Sequence, residues 1–281
     1  MRCGDLLDQY RLEQLIASSA MASVFRATDT RTGRSVAIKI PHPGSSVVRI
    51  FSDGLDREAR IGRKLNHPGI VRMLPSEGPN RQYTVMEWVE GRLLRHVLDA
   101  RKELPIERAV GIAREICDVL DYIHSQGFVH LDLKPDNLIV DSNYKIKLID
   151  FGIAQEARTS FLAFMRPKRA GTPDYASPEQ IRGKPGDARS DVYSLGLILY
   201  EMLTGEVPFS GVEPLTALNL RVLVDAAPPS EINPEISPQL EDVVFRAIAR
   251  HPAERIASAR EFAGELDRVC EHSTIALAGS L

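Results

Sequence analysis

The sequence is poor in features that mark several classes of protein. It has three cysteines among 281 residues, at positions 3, 117 and 270, and this odd, scattered set does not indicate a disulfide-stabilised secreted scaffold. The hydrophobic stretch over 192–203 is interrupted by Ser194 and Glu201, and no run reaches the roughly 18 apolar residues of a membrane span. The first 15 residues contain early acidic residues and lack the apolar core of a secretory signal. We therefore expect reduced thiols, no membrane segment and a cytoplasmic location.

The chain also lacks a strong net charge. Its 35 Lys and Arg residues nearly balance 38 Asp and Glu residues, for a formal net charge of −3. This balance gives no electrostatic reason to expect nucleic acid or an anionic membrane as a partner. The seven histidines show no spacing with one another or with cysteine that is typical of zinc ligands. With 43% hydrophobic and 26% charged residues, the composition predicts a globular protein with one large domain or two lobes.

The first third of the chain has the pattern of β-strands. Two β-rich runs, at 23–27 and 35–40, flank the turn-prone pair Thr32-Gly33, which is the spacing of a β-hairpin. A third β-rich run covers 83–89 and follows a turn-prone segment.

After Gly91 the pattern becomes helical. Apolar residues recur at steps of three and four from Ala109 to Ile123, which predicts one apolar face of a long helix. Short strands at 138–140 and 145–149 follow, and the segments 187–203 and 238–249 are again helical. We predict an α+β fold with a small β-rich N-lobe at about 10–89 and a larger helical C-lobe at about 90–270. Residues 271–281 are expected to form a fraying C-terminal tail after a domain of residues 1–270.

One segment carries most of the chemical information. The sequence HLDLKPDN, residues 130–137, places Asp132, Lys134 and Asn137 in a loop between a long helix and a strand. Asp150 begins an Asp-Phe-Gly triplet 13 residues after Asn137. Lys39 ends the strand Val-Ala-Ile-Lys, and the acidic Glu58 falls in the helical segment that comes next.

This ordered set resembles the eukaryotic-type (Hanks-type) protein kinases, over about residues 10–269. The phrases GTPDYASPEQ, HLDLKPDN and SDVYSLG are most similar to the bacterial Ser/Thr branch. The resemblance implies a bilobal protein-kinase-like fold and ATP with Mg²⁺ as the phosphate source. The ATP phosphates would be held by Lys39, itself paired with Glu58, while Asn137 and Asp150 supply oxygen ligands for Mg²⁺. Asp132 would accept the proton of the substrate hydroxyl and Lys134 would neutralise the γ-phosphate.

The resemblance also implies an adenine pocket. The run Met-Glu-Trp-Val at 86–89 corresponds to the hinge of the family, with Met86 as gatekeeper. The Glu87 carbonyl and the Val89 amide would bond the adenine edge. Apolar side chains would sandwich the ring, namely Ile16, Val24, Ala37 and Ile139.

Residues 150–179 resemble an activation segment, in which Thr172 marks Ser/Thr specificity. Thr159 and Ser160 lie in its middle, near several basic residues, and are candidates for autophosphorylation. The resemblance further implies an ion pair between Glu179 and Arg255, and a bracing role for Asp191 beneath the catalytic loop.

The sequence departs from the family pattern in two places. The phosphate-covering loop, 17–24, contains none of the three glycines of that loop. An alanine or serine forced into a left-handed conformation costs about 1–2 kcal/mol, so we expect a weakened loop. Leu131 occupies the position of an arginine that pairs with an activation-loop phosphate in many relatives, so activity is not expected to be gated through that contact.

The favoured function is a Ser/Thr protein kinase that acts on protein substrates. One alternative is a pseudokinase or a weakly active nucleotide-binding scaffold, which the glycine-free loop favours. A small-molecule kinase is a third class, disfavoured by the long segment that ends in Ser-Pro-Glu at 177–179.

Overall fold

The computed structural model describes residues 1–19, 22–42, 61–62, 64–75, 83–150, 155–156 and 174–278. These residues group into two compact units. The N-terminal unit holds the described residues of Met1–Glu90 and of Ile149–Ile153, and the C-terminal unit holds those of Gly91–Leu148 and Ala154–Leu281. Within the part of the chain so described, no helix combines the length and the apolar character needed to cross a membrane.

The N-terminal unit is built on antiparallel strands. They are β1 (Leu6–Leu7), β2 (Tyr10–Ser18), β3 (Ala22–Asp29), β4 (Ser35–Pro41), β5 (Met73–Leu74) and β6 (Thr84–Glu87). They form one six-stranded sheet in the order β1-β2-β3-β4-β6-β5. The predicted hairpin between β3 and β4 is confirmed, since Gly33 adopts φ 71° and donates its amide to the Asp29 carbonyl at 2.7 Å.

The two faces of this sheet differ in character because side chains alternate along a strand and paired residues share a face. One face carries a hydrophobic cluster: Tyr10, Leu12, Phe25, Ala27, Val36, Ile38, Tyr83 and Val85. The residues between them in β3 and β4 project to the other face, where the predicted nucleotide-binding side chains lie. The alternation therefore separates the core of this unit from its candidate site.

The C-terminal unit is mainly helical, as predicted. Its helices are α1 (Leu94–Arg101), α2 (Ile106–Ser125), α3 (Pro178–Ile181), α4 (Ala188–Thr204), α5 (Pro214–Leu223), α6 (Pro229–Ile232), α7 (Pro238–Ala247) and α8 (Ala259–Ala278). Short strands complete it: β7 (Arg92–Leu93), β8 (Phe128–Val129), β9 (Leu138–Val140), β10 (Ile146–Leu148) and β11 (Gln155–Glu156). Strands β10, β9 and β7 form one small sheet, and β11 pairs with β8. Together with the strand-rich first unit, these helices confirm the α+β class.

Helix α4 forms the centre of this unit. Every residue from 190 to 204 is buried, and the helix packs against α2 and α7. A helix that is buried on all sides needs its ends satisfied by other means. Asp187 accepts the Arg189 amide at 2.8 Å, and Gly205 ends the helix with φ 77°.

The long helix predicted from the apolar steps between Ala109 and Ile123 is confirmed as α2, and its apolar residues are buried against α8 and α4. Helix α8 runs from Ala259 to Ala278 and so extends past residue 270, the predicted end of the domain. The division into a domain of residues 1–270 and a C-terminal tail stays a prediction. A helix is also predicted over 55–65, before Asn66. Residues 61–62 and 64 are helical and Leu65 is not, while residues 55–60 and 63 lie outside the described residues.

Candidate active site

The N-terminal unit gathers several predicted site residues on one sheet face. Lys39 pairs with Val24 across β3 and β4, and Ala37 pairs with Met86 across β4 and β6. Ala17 pairs with Val24 in turn. The five side chains therefore project from the face opposite to the hydrophobic cluster.

Lys39 is the cation of this face. Its ammonium Nζ lies 3.5 Å from Oδ1 of Asp150, and only 12% of the lysine side chain is exposed. The carboxylate comes from the triplet that follows β10, so two motifs far apart in sequence meet here. The predicted partner Glu58 lies outside the described residues.

The predicted hinge, residues 86–89, begins within the last two residues of β6. Met86 is buried, and the Glu87 carboxylate accepts the Arg72 amide at 3.1 Å. Trp88 donates its ring N–H to Glu90 at 2.7 Å and lies under the Arg26 guanidinium, 4.9 Å from the ring centroid. The polar side chains of Glu87 and Trp88 thus make contacts within the N-terminal unit. The prediction for adenine uses backbone groups of this segment instead, namely the Glu87 carbonyl and the Val89 amide.

Two further predicted adenine contacts are Ile16 and Ile139. Ile16 falls at a β-bulge, where the pairing register shifts between Leu15 and Ala17, and 43% of it is exposed. Ile139 belongs to the C-terminal unit, where it is half-buried on β9 and pairs with Leu93. The assignment of these two residues to the adenine pocket stays a prediction.

The phosphate-loop expectation needs correction. None of Ala17, Ser19 and Ala22 has a positive φ, so the left-handed penalty expected from the missing glycines does not arise at these positions. Ser19 instead donates its amide to the Ala22 carbonyl at 2.9 Å, which joins the two strands next to the tip. Ala20 and Met21 lie outside the described residues.

The C-terminal unit holds the catalytic-loop residues close together. Lys134 Nζ donates to Asp132 Oδ2 at 3.0 Å, and the Asn137 side-chain amide donates to the Asp132 carbonyl at 2.8 Å. Asn137 is buried, whereas 27% of the Asp132 side chain and 33% of the Lys134 side chain are exposed. The side chains of Asp132 and Lys134 are therefore accessible to a substrate, while the Asn137 side chain stabilises the loop through its hydrogen bond.

Asp191 on α4 supports this loop from below, as predicted. Its carboxylate accepts the amides of His130 at 2.8 Å and Leu131 at 2.7 Å, and the His124 ring at 2.8 Å. Burial raises the pKa of Asp191, but the hydrogen bonds and charges of the two histidines outweigh burial, so the pKa lies below its ordinary value. An ionised, fully buried carboxylate thus orients the loop that carries Asp132.

Leu131 has an unusual conformation. Its φ is 63°, although it is not glycine, and its side chain is buried. The Gln180 side chain donates to its carbonyl at 2.9 Å, and a Cβ added at Gly186 would lie 2.6 Å from its Cδ2. The side chain therefore packs toward the start of α4, and the loop presents no cation at this position.

The predicted pair between Glu179 and Arg255 is confirmed. Arg255 donates from both terminal nitrogens, at 2.8 and 2.7 Å, and Ser190 adds a third hydrogen bond at 2.6 Å. Burial raises the pKa of Glu179, but these donors lower it to about 2. This bidentate pair anchors α3 to the segment that precedes α8.

Sequence reasoning missed other residues that support the site. Gln180 and Ser177 form a capping box at α3, and the Ser-x-x-Gln spacing was a readable signal for it. Arg95 on α1 donates to both carboxylate oxygens of Glu201, at 2.7 and 2.9 Å, and to the Tyr175 hydroxyl at 2.6 Å. No short-range pattern connects these three residues, so only the fold brings them together.

The predicted magnesium ligands fit a hard cation. Asp150 offers carboxylate oxygens, and Asn137 uses the donor end of its amide within the loop, so its Oδ1 is the acceptor that the amide has left to offer. Both are oxygen donors of the kind that Mg²⁺ accepts, together with phosphate oxygens and water. Within the described ranges, no group of three or more His, Cys, Asp or Glu residues could hold a metal by itself.

Comparison with known proteins agrees with this geometry. Residues 10–272 match the family model described as protein kinase domain. The chain is 36% identical over 278 residues to the probable serine/threonine-protein kinase PknB of Corynebacterium glutamicum, covering 95% of this chain and 43% of the relative. It is 38% identical over 272 residues to the serine/threonine-protein kinase PknB of Mycolicibacterium smegmatis, covering 95% and 44%. The chain thus spans less than half the length of these curated relatives.

Proposed function

Because this chain belongs to the protein kinase domain family, we propose that it transfers the γ-phosphate of ATP to Ser or Thr hydroxyls of protein substrates. The membership confirms the family resemblance of the HLDLKPDN segment. The observation that carries the proposal is the catalytic loop, in which Asp132 and Lys134 are 3.0 Å apart and Asp191 holds the backbone. We assign the kinase domain to residues 1–270, with lobes at about 10–89 and 90–270.

Asp132 acts on the substrate hydroxyl. Its partly exposed carboxylate accepts the proton and aims the oxygen at the γ-phosphate. Lys134 adds a positive charge next to that carboxylate, where negative charge develops on the transferred phosphoryl group. The Asn137 bond to the Asp132 carbonyl keeps the loop in the geometry that this transfer requires.

Nucleotide binding uses Lys39 as the cation for the α- and β-phosphates, with Glu58 as its partner. Asn137 and Asp150 would hold Mg²⁺, which neutralises phosphate charge when it is bound. The contact between the Lys39 ammonium and the Asp150 carboxylate supports this assignment, because it puts a cation beside the proposed magnesium ligand.

Adenine binding uses the sheet face and the hinge. The Glu87 carbonyl and the Val89 amide bond the adenine edge, as β6 ends at this point. Apolar side chains enclose the ring: Ile16, Val24, Ala37 and Ile139. Ile16 contributes least, since it sits in a bulge and is largely exposed.

Proteins are the proposed substrate class, and two relatives are named as serine/threonine-protein kinases. Autophosphorylation at Thr159 or Ser160 is part of the proposal; both residues, like Thr172, lie outside the described residues. A cytoplasmic location is supported by the cysteines, since Cys3 is an exposed thiol and Cys117 a buried one. A pseudokinase is not favoured, because Lys39, Asp132, Asn137 and Asp150 are all present.

The test is the substitution Asp132→Asn, assayed with labelled Mg-ATP and a generic protein substrate. We expect phosphoryl transfer to fall by at least about 10²-fold, with ATP affinity within about threefold of the parent, because the carboxylate acts on the hydroxyl. Asp118→Asn, the same change at an exposed position of α2, is the matched control and should retain parental activity. Full transfer by Asp132→Asn would refute the assignment, and label on small metabolites alone would favour a small-molecule kinase.

A further inference from the structure

Three side chains form a hydrogen-bonded chain at the tip of the β2–β3 hairpin. The His42 ring nitrogen Nε2 lies 2.8 Å from the Ser23 hydroxyl oxygen, and that oxygen lies 3.2 Å from the Ser18 hydroxyl oxygen. Ser18 ends β2, Ser23 is the second residue of β3, and His42 directly follows β4. Three successive strands are thus tied together by side chains at the same end of the sheet.

The three hydrogen-bonded residues lie on the face of the sheet away from Lys39. Ser18 pairs with Ser23, and Ser23 pairs with Ile40, so these three residues share a face. Ile40 packs against the hydrophobic cluster, whereas Lys39 and Val24 project to the other side. The hydrogen bonds of Ser18, Ser23 and His42 therefore lie on the face of the hairpin opposite to Lys39, and they are not placed to touch a nucleotide on the Lys39 face.

The hairpin tip itself is closed by its own groups. The Ser19 amide donates to the Ala22 carbonyl at 2.9 Å, and the Ala22 amide donates to the Ser19 hydroxyl at 3.2 Å. These amides are used within the tip, where glycine-rich loops instead offer backbone amides to phosphate. Because the amides of Ser19 and Ala22 are engaged with each other's residues, they are not the groups that hold the hairpin against a nucleotide, and other contacts of the hairpin become important.

We propose that His42 and Ser23 are positioning residues that hold the phosphate-covering hairpin on β4 and thereby set nucleotide affinity. This inference rests on the proposed kinase function. The imidazole connects the tip to the strand that carries Lys39, three residues earlier. We call the hydrogen bonds that join His42, Ser23 and Ser18 the tether. A glycine-rich loop is held in place by its own contacts with phosphate, whereas this hairpin is held by the tether on the opposite face of the sheet. Ser18 extends the tether to β2, so that both strands of the hairpin are held.

The tether can be removed and restored at Ser23. Ser23→Val introduces a β-branched, strand-compatible side chain without the hydroxyl, and Ser23→Thr has nearly the same shape with the hydroxyl. We expect the valine variant to raise the KM for ATP and the Kd for an ATP analogue about three- to tenfold, through loss of the hydrogen bonds of this hydroxyl. Its kcat at saturating ATP should stay within about twofold of the parent, and threonine should restore KM.

Thr28→Val is the matched control on the same hairpin. Thr28 donates its hydroxyl to Glu13 between β3 and β2, at the end remote from the tip. Its loss removes a cross-strand hydrogen bond without touching the tether. The control should leave the KM for ATP at the parental value. An equal rise of the KM for ATP in Ser23→Val and Thr28→Val would show that any lost cross-strand hydrogen bond has this effect, and it would overturn the proposal.

The imidazole provides a second, independent pair of variants. His42→Gln can place an amide nitrogen near the position of Nε2, whereas His42→Leu cannot form the hydrogen bond. We expect leucine to raise KM like Ser23→Val, and glutamine to preserve most of the affinity. If Ser23→Val does not fold, this pair decides the question, and parental KM values for both would overturn the proposal.

The test of the tether can be distinguished from the test of the proposed kinase function. Binding of the ATP analogue is measured by calorimetry on the full chain, without phosphoryl transfer. A parent that neither binds the analogue nor transfers phosphate refutes both proposals. A parent that does both, with Ser23→Val indistinguishable from it, refutes the tether alone.

Discussion

At the scale of single residues, buried carboxylates show how the C-terminal unit retains charge in its interior. Glu179 meets Arg255, Asp191 meets His124 and two backbone amides, and Glu201 meets Arg95. A buried charge without such partners costs several kcal/mol, so each carboxylate depends on an element distant in sequence. These pairings are therefore part of the stability of the folded unit.

Glu179 makes this dependence measurable. Its pKa falls from 4.5 to about 2 on folding, so the folded state binds the proton more weakly. The resulting stability, about 3 kcal/mol, is present above about pH 5 and is lost as the pH falls toward 2. We expect urea unfolding of Glu179→Gln to lose much of the pH dependence in this window.

The control for this prediction is Glu254→Gln, an exposed neighbour of Arg255. It should keep the parental slope of unfolding free energy against pH. An unchanged slope in Glu179→Gln would mean that other carboxyl groups dominate the acid sensitivity. Removal of one partner should also destabilise the protein by about 3–5 kcal/mol at neutral pH, because Arg255 remains buried.

At the scale of elements, the close approach of α4 to α7 depends on Gly196. A Cβ added there would lie 2.6 Å from Ile248 Cγ2 and 2.8 Å from Ala247 Cβ. Gly111 on α2 is the opposite case, since an added Cβ would meet nothing within 4 Å. The two glycines are therefore in helices for different reasons.

Alanine substitution should separate these two positions. We expect Gly196→Ala to lower the free energy of unfolding by about 1–3 kcal/mol, through overpacking of the α4–α7 contact. Gly111→Ala should raise it by about 0.5–1 kcal/mol, because alanine is the better helix former. Denaturant titration of both variants measures the difference, and a neutral Gly196→Ala would show that α7 can shift.

At the scale of the whole molecule, nucleotide binding should stabilise the chain. A non-hydrolysable ATP analogue with Mg²⁺ at 100 times its Kd adds about 2.7 kcal/mol to the unfolding free energy. Chelation of Mg²⁺ should remove part of this gain, since Asp150 and Asn137 are the proposed ligands. Asp150→Asn should lose the magnesium-dependent part in thermal unfolding, while Asp118→Asn keeps it. A gain insensitive to chelation would contradict the proposed magnesium site.

The sequence by itself determined the elements and the chemical motifs. The β-rich run at 35–40 and the three- and four-residue steps of 109–123 predicted β4 and α2, because both patterns are local. Asp132, Lys134 and Asn137 could be assigned together because they lie within six residues of one loop. Short-range spacing was sufficient wherever the interacting groups belong to one element.

Tertiary structure decided what depends on distant residues. Lys39 and Asp150 meet although they are 111 residues apart, and Leu131 takes a left-handed conformation while Asp191 and Gln180, from later elements, bind its backbone. The hydrogen-bond partners of Ser19 likewise set the backbone of the glycine-free hairpin tip, and the missing glycines alone predicted a strain that is absent at Ala17. Backbone conformation at such points follows from packing and hydrogen bonds between elements, which local propensity does not encode.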